Sequence, residues 1–328
     1  MRRIPPALFL FFLAPTIGEL LSGSAPPVEF FNPFMLLILP ALYGSGAVLA
    51  RELALRWNKR WPTILTFGLA YGIVEEGLMI KSFFDPNWMD LGILGTYGRL
   101  AGVNWVWSVS LTLYHATVSI AIPILLTELI YADRRDEPWT SRHGMIGLSI
   151  LLATVVLFGA LALAPYRPPF IPYLLAIIAT VFLYFLARHL PKRFRPPQPA
   201  ARLRPLWIGT IGFLSITAYF IGGWALPELG IPPVLTIGFL IILALGALRL
   251  LRWASGEGAW SDVSRLALAS GMLTFFILLA FIAESSTDRA DNPAGMALVG
   301  LAAAVSLLAL NLRVRRRTRD EKRAEVIR

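Results

Sequence analysis

Runs of about 18 to 22 apolar residues, each closed off by Pro, Gly or Arg, recur along the whole 328-residue chain. At 1.5 Å per residue, a helix of that length crosses the ~30 Å hydrocarbon layer of a bilayer. No other environment accommodates so many of them in one chain. Composition agrees: 15% of residues are charged and 56% hydrophobic, against about 25% charged in a soluble domain. Mean hydropathy is +0.65. The chain reads as an all-α, polytopic transmembrane helical bundle. With no cysteine, it has no disulfide, thiolate metal site or cysteine nucleophile.

Ten spans are expected, at roughly 5–21, 34–50, 62–80, 105–130, 145–164, 171–187, 206–226, 232–248, 266–283 and 293–312. If both termini are cytoplasmic, 26 of the 30 Lys and Arg fall on the inner side, leaving Lys81, Arg99, Arg167 and Arg289 outside. That bias is the positive-inside pattern. It accounts for the net charge of +10 through topology and anionic lipid, with no nucleic-acid partner. The opening MRR–IPPALFLFFLAPTIGELL–SGSA has the layout of a signal peptide; a retained first helix is expected. The polar stretch after the fourth span divides the chain into a four-helix unit, 1–132, and a six-helix scaffold, 133–328. No internal repeat of the kind that marks many transporters is evident.

Polar residues are unevenly distributed. Spans five to ten contain no Asp, Glu, Lys, Arg or His, whereas the first four spans and their outer loops carry Glu19, Glu29, Glu75, Glu76, Lys81, Asp85, Asp90, Arg99 and His115. The third span, PTILTFGLAYGIVEEGLMIK, places two carboxylates in a membrane helix. Each charged carboxylate costs about 2.5–3.5 kcal/mol at a helix centre, so such residues face protein or a cavity and are functional by default. Gly68 and Gly72 form a G-x-x-x-G surface for close helix approach. At 100° per residue, Glu75 and Glu76 flank that surface. Alternatively the pair lies at the interface, neutralised by Lys81.

In the fourth span, Asn104, Ser108, Thr112, His115 and Ser119 fall within an arc of about 80° on one helix face. This polar stripe runs from the outer surface to mid-membrane, with His115 near the midplane. The connecting loop, KSFFDPNWMDLGILGTYGRLAG, offers Asp85, Asp90 and Arg99 as a lid, and the outer segment after span one brings Glu19 nearby. Trp88, Tyr97, Trp105 and Trp107 suit an interfacial aromatic belt. At the inner surface, Glu52 and Arg56 read as an exposed i,i+4 pair, and Glu128 as a partner of Arg134 or Arg135.

A Glu-Glu pair late in one membrane helix, followed about 40 residues on by a His in the next, resembles the CAAX-prenyl-endopeptidase and bacteriocin-processing family of intramembrane proteases. In that family, Glu-Glu-x-x-x-Arg and Phe-x-x-x-His motifs supply a glutamate-activated water, and a later His-x-x-x-Asn/Asp motif stabilises the oxyanion. Here Glu75, Glu76 and His115 match the pair and the His. Position 80 is Ile, with Lys81 one place late, Leu111 stands for the Phe, and the third motif has no counterpart. The resemblance covers about 45 residues and implies proteolysis within the membrane.

Chemistry argues in the same direction. A carboxylate beside a second carboxylate and an imidazole can activate water and return the proton to a leaving group. No cofactor is required. The same three groups are also the ligand set of an open zinc site, although ligands at adjacent positions of one helix suit that geometry poorly. The reading is a hydrolase of the prokaryotic cell membrane with catalytic Glu75, Glu76 and His115, in contact with membrane lipids. It takes a lipid or peptide from the outer leaflet, bound by Glu19, Lys81, Asp85, Asp90, Arg99, Asn104, Ser108, Thr112 and Ser119. The competing readings are a proton-coupled carrier and a non-catalytic lipid-binding or assembly protein.

Overall fold

A computed structural model describes residues 4–89, 91–192, 201–254, 260–286 and 291–327. Ten long helices follow the expected order. They are α1 (Pro6–Leu21), α2 (Pro33–Arg56), α3 (Trp61–Gly72 continued by Ile73–Met79) and α4 (Trp105–Ile130). Next come α5 (Arg142–Leu163), α6 (Phe170–His189), α7 (Pro205–Glu228), α8 (Pro233–Ala254), α9 (Asp262–Ser285) and α10 (Met296–Ile327). Among the described residues, eight of these are long and apolar enough to cross a membrane. The other two are α1, which is shorter, and α3, whose apolar character is diluted by its two glutamates. The only sheet among the described residues is the hairpin β1 (Arg99–Leu100) and β2 (Val103–Asn104) in the loop before α4.

Helices α2 and α4 are mostly buried, whereas few residues of α5, α6, α8 and α10 are buried and many of their large apolar side chains are exposed. In water that exposure would be prohibitive; against lipid tails it costs nothing. Two cores result. One joins α1, α2 and α3 to α5 through Leu10, Tyr43, Ile64 and Val155. The other joins α1 and α4 to α7, α9 and α10 through Ile17, Val118, Ile216, Phe276 and Val314. Both contain residues from either side of position 132.

Among the described residues, five segments are wound as π-helix: Thr16–Leu21, Pro40–Gly44, Ile73–Met79, His115–Ala121 and Gly159–Leu163. Proline stands at three of them, with Pro15 just before the first, Pro40 opening the second and Pro123 just after the fourth. A proline removes an i→i−4 hydrogen bond and crowds the preceding turn, which favours local widening. Wide turns of this kind concentrate at functional sites. All five lie before residue 164.

At the end assigned to the cytoplasm, a charged network is buried between helices. Arg51 is 1% exposed and Glu52 is fully buried. The Arg51 guanidinium contacts Glu52 at 2.5 Å, donates to the carbonyls of Glu137 (2.8 Å) and Arg135 (2.7 Å), and lies 3.6 Å over the Trp139 ring. Glu52 also accepts the Trp139 amide at 2.9 Å, and Arg56 is 3.5 Å away. Glu52 and Arg56 are therefore not a surface pair. Glu128 contacts Arg51 (3.8 Å) and Arg60 (3.7 Å), not Arg134 or Arg135. Arg135 instead clasps Asp262 at 2.7 and 2.5 Å, a bidentate contact that raises the guanidinium pKa further. Arg317 joins the same carboxylate. Sequence proximity suggested the local partners; the folded loop 131–141 supplied distant ones.

Candidate functional site

The site forms where α3 meets α4, and glycine permits the meeting. A Cβ on Gly68 would stand 2.6 Å from Ala116 Cα, and one on Gly72 3.0 Å from Thr112 Cα and 3.2 Å from His115 Cβ. Any side chain at Gly68 would push backbone against backbone. The G-x-x-x-G surface thus brings the glutamates of α3 to the histidine of α4. All three are buried, with Glu75 5%, Glu76 7% and His115 2% exposed.

His115 Nε2 lies 3.1 Å from Glu76 Oε1, and Nδ1 lies 3.2 Å from Glu75 Oε2. Each acid therefore takes a different nitrogen of the ring. Nδ1 is also 3.0 Å from Ser119 Oγ, one turn along α4. A neutral imidazole has one N–H and satisfies one acid, whereas an imidazolium satisfies both. Three tyrosine rings surround the imidazole: Tyr43, Tyr71 and Tyr114, with centroids 6.0, 5.8 and 5.2 Å away. Glu19 joins through Tyr43, whose hydroxyl donates to Glu19 Oε1. Glu19, Glu75 and Glu76 share one electrostatic neighbourhood. The α1 backbone carrying Glu19 is held by Tyr114, whose hydroxyl donates to the Gly18 carbonyl at 2.7 Å. The four π-helical turns of α1 to α4 thus carry Glu19, Tyr43, the Glu75–Glu76 pair, and His115 with Ser119.

Glu76 is fixed from the outer side. Lys81 adopts a left-handed backbone (φ 61°) just past the end of α3, turning the chain so that Ser82 reaches back. The Ser82 hydroxyl donates to Glu76 Oε2 and accepts from Trp107 Nε1 at 3.0 Å. By contrast, Glu75 is met by Nδ1 of the ring at 3.2 Å and lies beside the hydroxyls of Tyr71 and Tyr43.

The remaining expected residues are placed as follows. Lys81 does not neutralise the glutamates: its ammonium donates to the carbonyls of Ala160 (2.5 Å) and Ala164 (2.7 Å) at the end of α5, and burial pushes its pKa down. Asn104 caps α4, accepting the Trp107 amide at 3.0 Å and donating to the Leu94 carbonyl. Ser108 donates to the Asn104 carbonyl at 2.6 Å. Thr112 packs against Gly72. Asp85 closes a turn by accepting the Asn87 amide at 2.9 Å, and Arg99 donates to the Phe84 carbonyl. Neither of these two is brought to the acid–histidine cluster; Asp90 lies outside the described residues.

Sequence reasoning missed Tyr43, Tyr71, Ser82 and Trp107. Tyr71 stands one turn before Glu75 and was accessible from spacing; Trp107 was expected in the interfacial belt but turns inward to Ser82. Tyr97 is half-buried, its hydroxyl donating to the Ile231 carbonyl, at 2.7 Å, in the loop between α7 and α8.

One nitrogen of His115 and one oxygen from each glutamate lie within 4.8 Å of one another, the spread of a possible metal site.

Fold and site together define a polytopic helical membrane protein with a buried acid–histidine cluster. The chain belongs to a family described as an uncharacterized membrane protein family, whose model matches residues 8–319. No curated protein and no solved structure matches it.

Proposed function

We propose that this protein is a membrane-embedded hydrolase that cleaves a lipid or peptide bond presented from the outer leaflet. The observation that carries the reading is the pair of glutamates on the two nitrogens of one buried imidazole, at 3.2 and 3.1 Å. Water held between the two glutamates attacks the acyl carbon. Glu76, anchored by Ser82 and facing the ring, is assigned as the base: it takes the water's proton and delivers it to the leaving group as the tetrahedral intermediate collapses. Glu75 positions the water, and His115, with one nitrogen on each acid, holds both in place. The resemblance to the intramembrane protease family points the same way through Glu75, Glu76 and His115.

The competing readings fit the surroundings less well. A proton-coupled carrier needs a polar route to the cytoplasm. Between the site and the inner charged network, α2, α3 and α4 place Ala47, Val48, Ile64, Ile120 and Ile124, each at most 2% exposed. A purely structural cluster gains nothing from gathering three carboxylates on one imidazole, where each added acid costs burial free energy. The test is turnover by protein in vesicles supplied with native membrane lipid and peptide extracts, followed by mass spectrometry. Cleavage products are expected from the wild type and absent with Glu76→Gln; unchanged product yield in that variant would reject the assignment.

A further inference from the structure

The inner end of α10 carries charge that the fold does not neutralise. From Met296 to Leu312 this helix has no ionisable residue; Arg313 is the first charge beyond the apolar stretch, followed by Arg315, Arg316, Arg317 and Arg319. A guanidinium stays protonated at physiological pH, so these charges are permanent. Among the described residues, the carboxylates that reach these arginines, Asp262 and Glu321, both go to Arg317. Arg313 is exposed, and its Nη2 donates to the Ile130 carbonyl at the end of α4, at 3.0 Å. Its remaining N–H groups have no partner among the described residues.

Beside Arg313 the helices leave room. An open cavity of about 220 Å³ lies between the start of α1, the end of α4 and α10, lined by Ile4, Phe9, Ile130, Tyr131 and Arg313. Its wall is fixed: the Tyr131 hydroxyl donates to the Ile4 carbonyl at 2.9 Å, and the Phe9 and Tyr131 rings meet edge to face with centroids 5.8 Å apart. A second cavity, of about 170 Å³, is lined by Val263, Arg315, Thr318 and Arg319. At 100° per residue, Arg315 stands about 200° round the helix from Arg313, on the opposite flank. That cavity suits a small free anion, with two guanidiniums and little hydrocarbon. The first combines one guanidinium with an apolar and aromatic wall, which suits a molecule that is phosphate at one end and hydrocarbon at the other.

We propose that an acidic phospholipid of the inner leaflet occupies the cavity between α1, α4 and α10, its phosphate on the Arg313 guanidinium and its glycerol and upper acyl chain against Ile4, Phe9 and Tyr131. The depth fits, because Arg313 marks the point where α10 leaves the apolar layer. Arginine pairs with phosphate through two parallel N–H groups. The surplus of arginine selects an acidic lipid over a zwitterionic one, whose headgroup brings a cation of its own. Bound there, the lipid ties α10 to the helices that carry Glu19 and His115 without touching the cluster. The proposal does not rest on the hydrolase reading.

The test titrates the full chain in nonionic detergent with phosphatidylglycerol and with phosphatidylcholine of the same acyl chains. Melting temperature and, by native mass spectrometry, retained lipid are the readouts. Phosphatidylglycerol is expected to bind at least about fivefold more tightly, the scale of one basic side chain at an anionic surface. Arg313→Gln is expected to lose about that factor. Arg315→Gln removes the same charge from the opposite flank and is expected to leave the preference in place. Ile4→Glu, at a position 56% exposed, sets a carboxylate in the cavity and is expected to act like Arg313→Gln. Equal binding of the two lipids by the wild-type protein overturns the proposal, whichever variants fold. So does an equal loss in Arg313→Gln and Arg315→Gln, which marks a diffuse effect of charge. If inorganic phosphate raises the melting temperature as much as phosphatidylglycerol does, the site takes a free anion and the lipid proposal fails.

Discussion

Helices α2, α3 and α4 bury two polar clusters, one near each end, and the clusters are built on opposite principles. The inner one balances Arg51, Arg56, Arg60, Arg135 and Arg317 against Glu52, Glu128 and Asp262, and recruits backbone carbonyls of the loop 131–141. The outer one sets three carboxylates against one imidazole. Burial is similar, so burial alone does not separate a structural cluster from a chemical one. What separates them is composition: guanidiniums held by carboxylates and loop carbonyls tie helices together, whereas acids gathered on one imidazole are groups that can exchange a proton.

Substitutions at the two ends should part company. The largest effect belongs to Glu76→Gln, which keeps the shape and removes the base: turnover is expected to fall about 10³-fold, with the melting temperature unchanged or raised as an acid is deleted. Arg51→Ala should do the reverse. It takes the buried cation from between Glu52 and Glu128, leaving them the more exposed Arg56 and Arg60, and should cost about 3–5 kcal/mol of stability, read as a lower melting temperature, while turnover per folded molecule stays near wild type. If Arg51→Ala instead abolished turnover in folded protein, the division of labour between the two ends would be wrong.

Gly68→Ala tests the link between packing and chemistry. With its Cβ placed 2.6 Å from Ala116 Cα, the variant must separate α3 from α4, at about 1–3 kcal/mol. Turnover should fall as well, because the acids draw back from His115. The smallest effect is expected for Ser82→Ala, which removes the anchor of Glu76 Oε2 and leaves Trp107 Nε1 without an acceptor. A fall in turnover of about tenfold corresponds to about 1.4 kcal/mol of lost positioning. An effect as large as that of Glu76→Gln would make Ser82 a participant in the reaction.

Much of this contrast was legible in the chain. Apolar run lengths gave the ten helices, because a bilayer imposes its thickness on any chain that crosses it. The spacing of Gly68, Gly72, Glu75 and Glu76 gave the face of α3 that meets α4, because a membrane helix hides carboxylates wherever it can pack closely. Tyr43 was hidden for a physical reason. It sits in a π-helical turn, where the 100° step used to project side chains onto a helix face no longer holds. The Glu52–Arg56 pair is present, but its burial and the added Arg51 and Trp139 contacts depend on how the loop 131–141 folds over α2, and Glu128 pairs with Arg51 and Arg60 rather than with the nearer Arg134 or Arg135. Arg99 and Asp85 looked like a lid by composition, yet their hydrogen bonds go to their own loop.

The central claim is that water attacks a substrate bond at the Glu75–Glu76–His115 cluster. Incubating the wild-type protein and Glu76→Gln with native membrane extracts in ¹⁸O-labelled water, and weighing the acid products, tests it most directly. The account predicts one heavy oxygen in a carboxyl product of the wild type and none with Glu76→Gln. Products that carry no label, or label incorporated equally by both proteins, would contradict it.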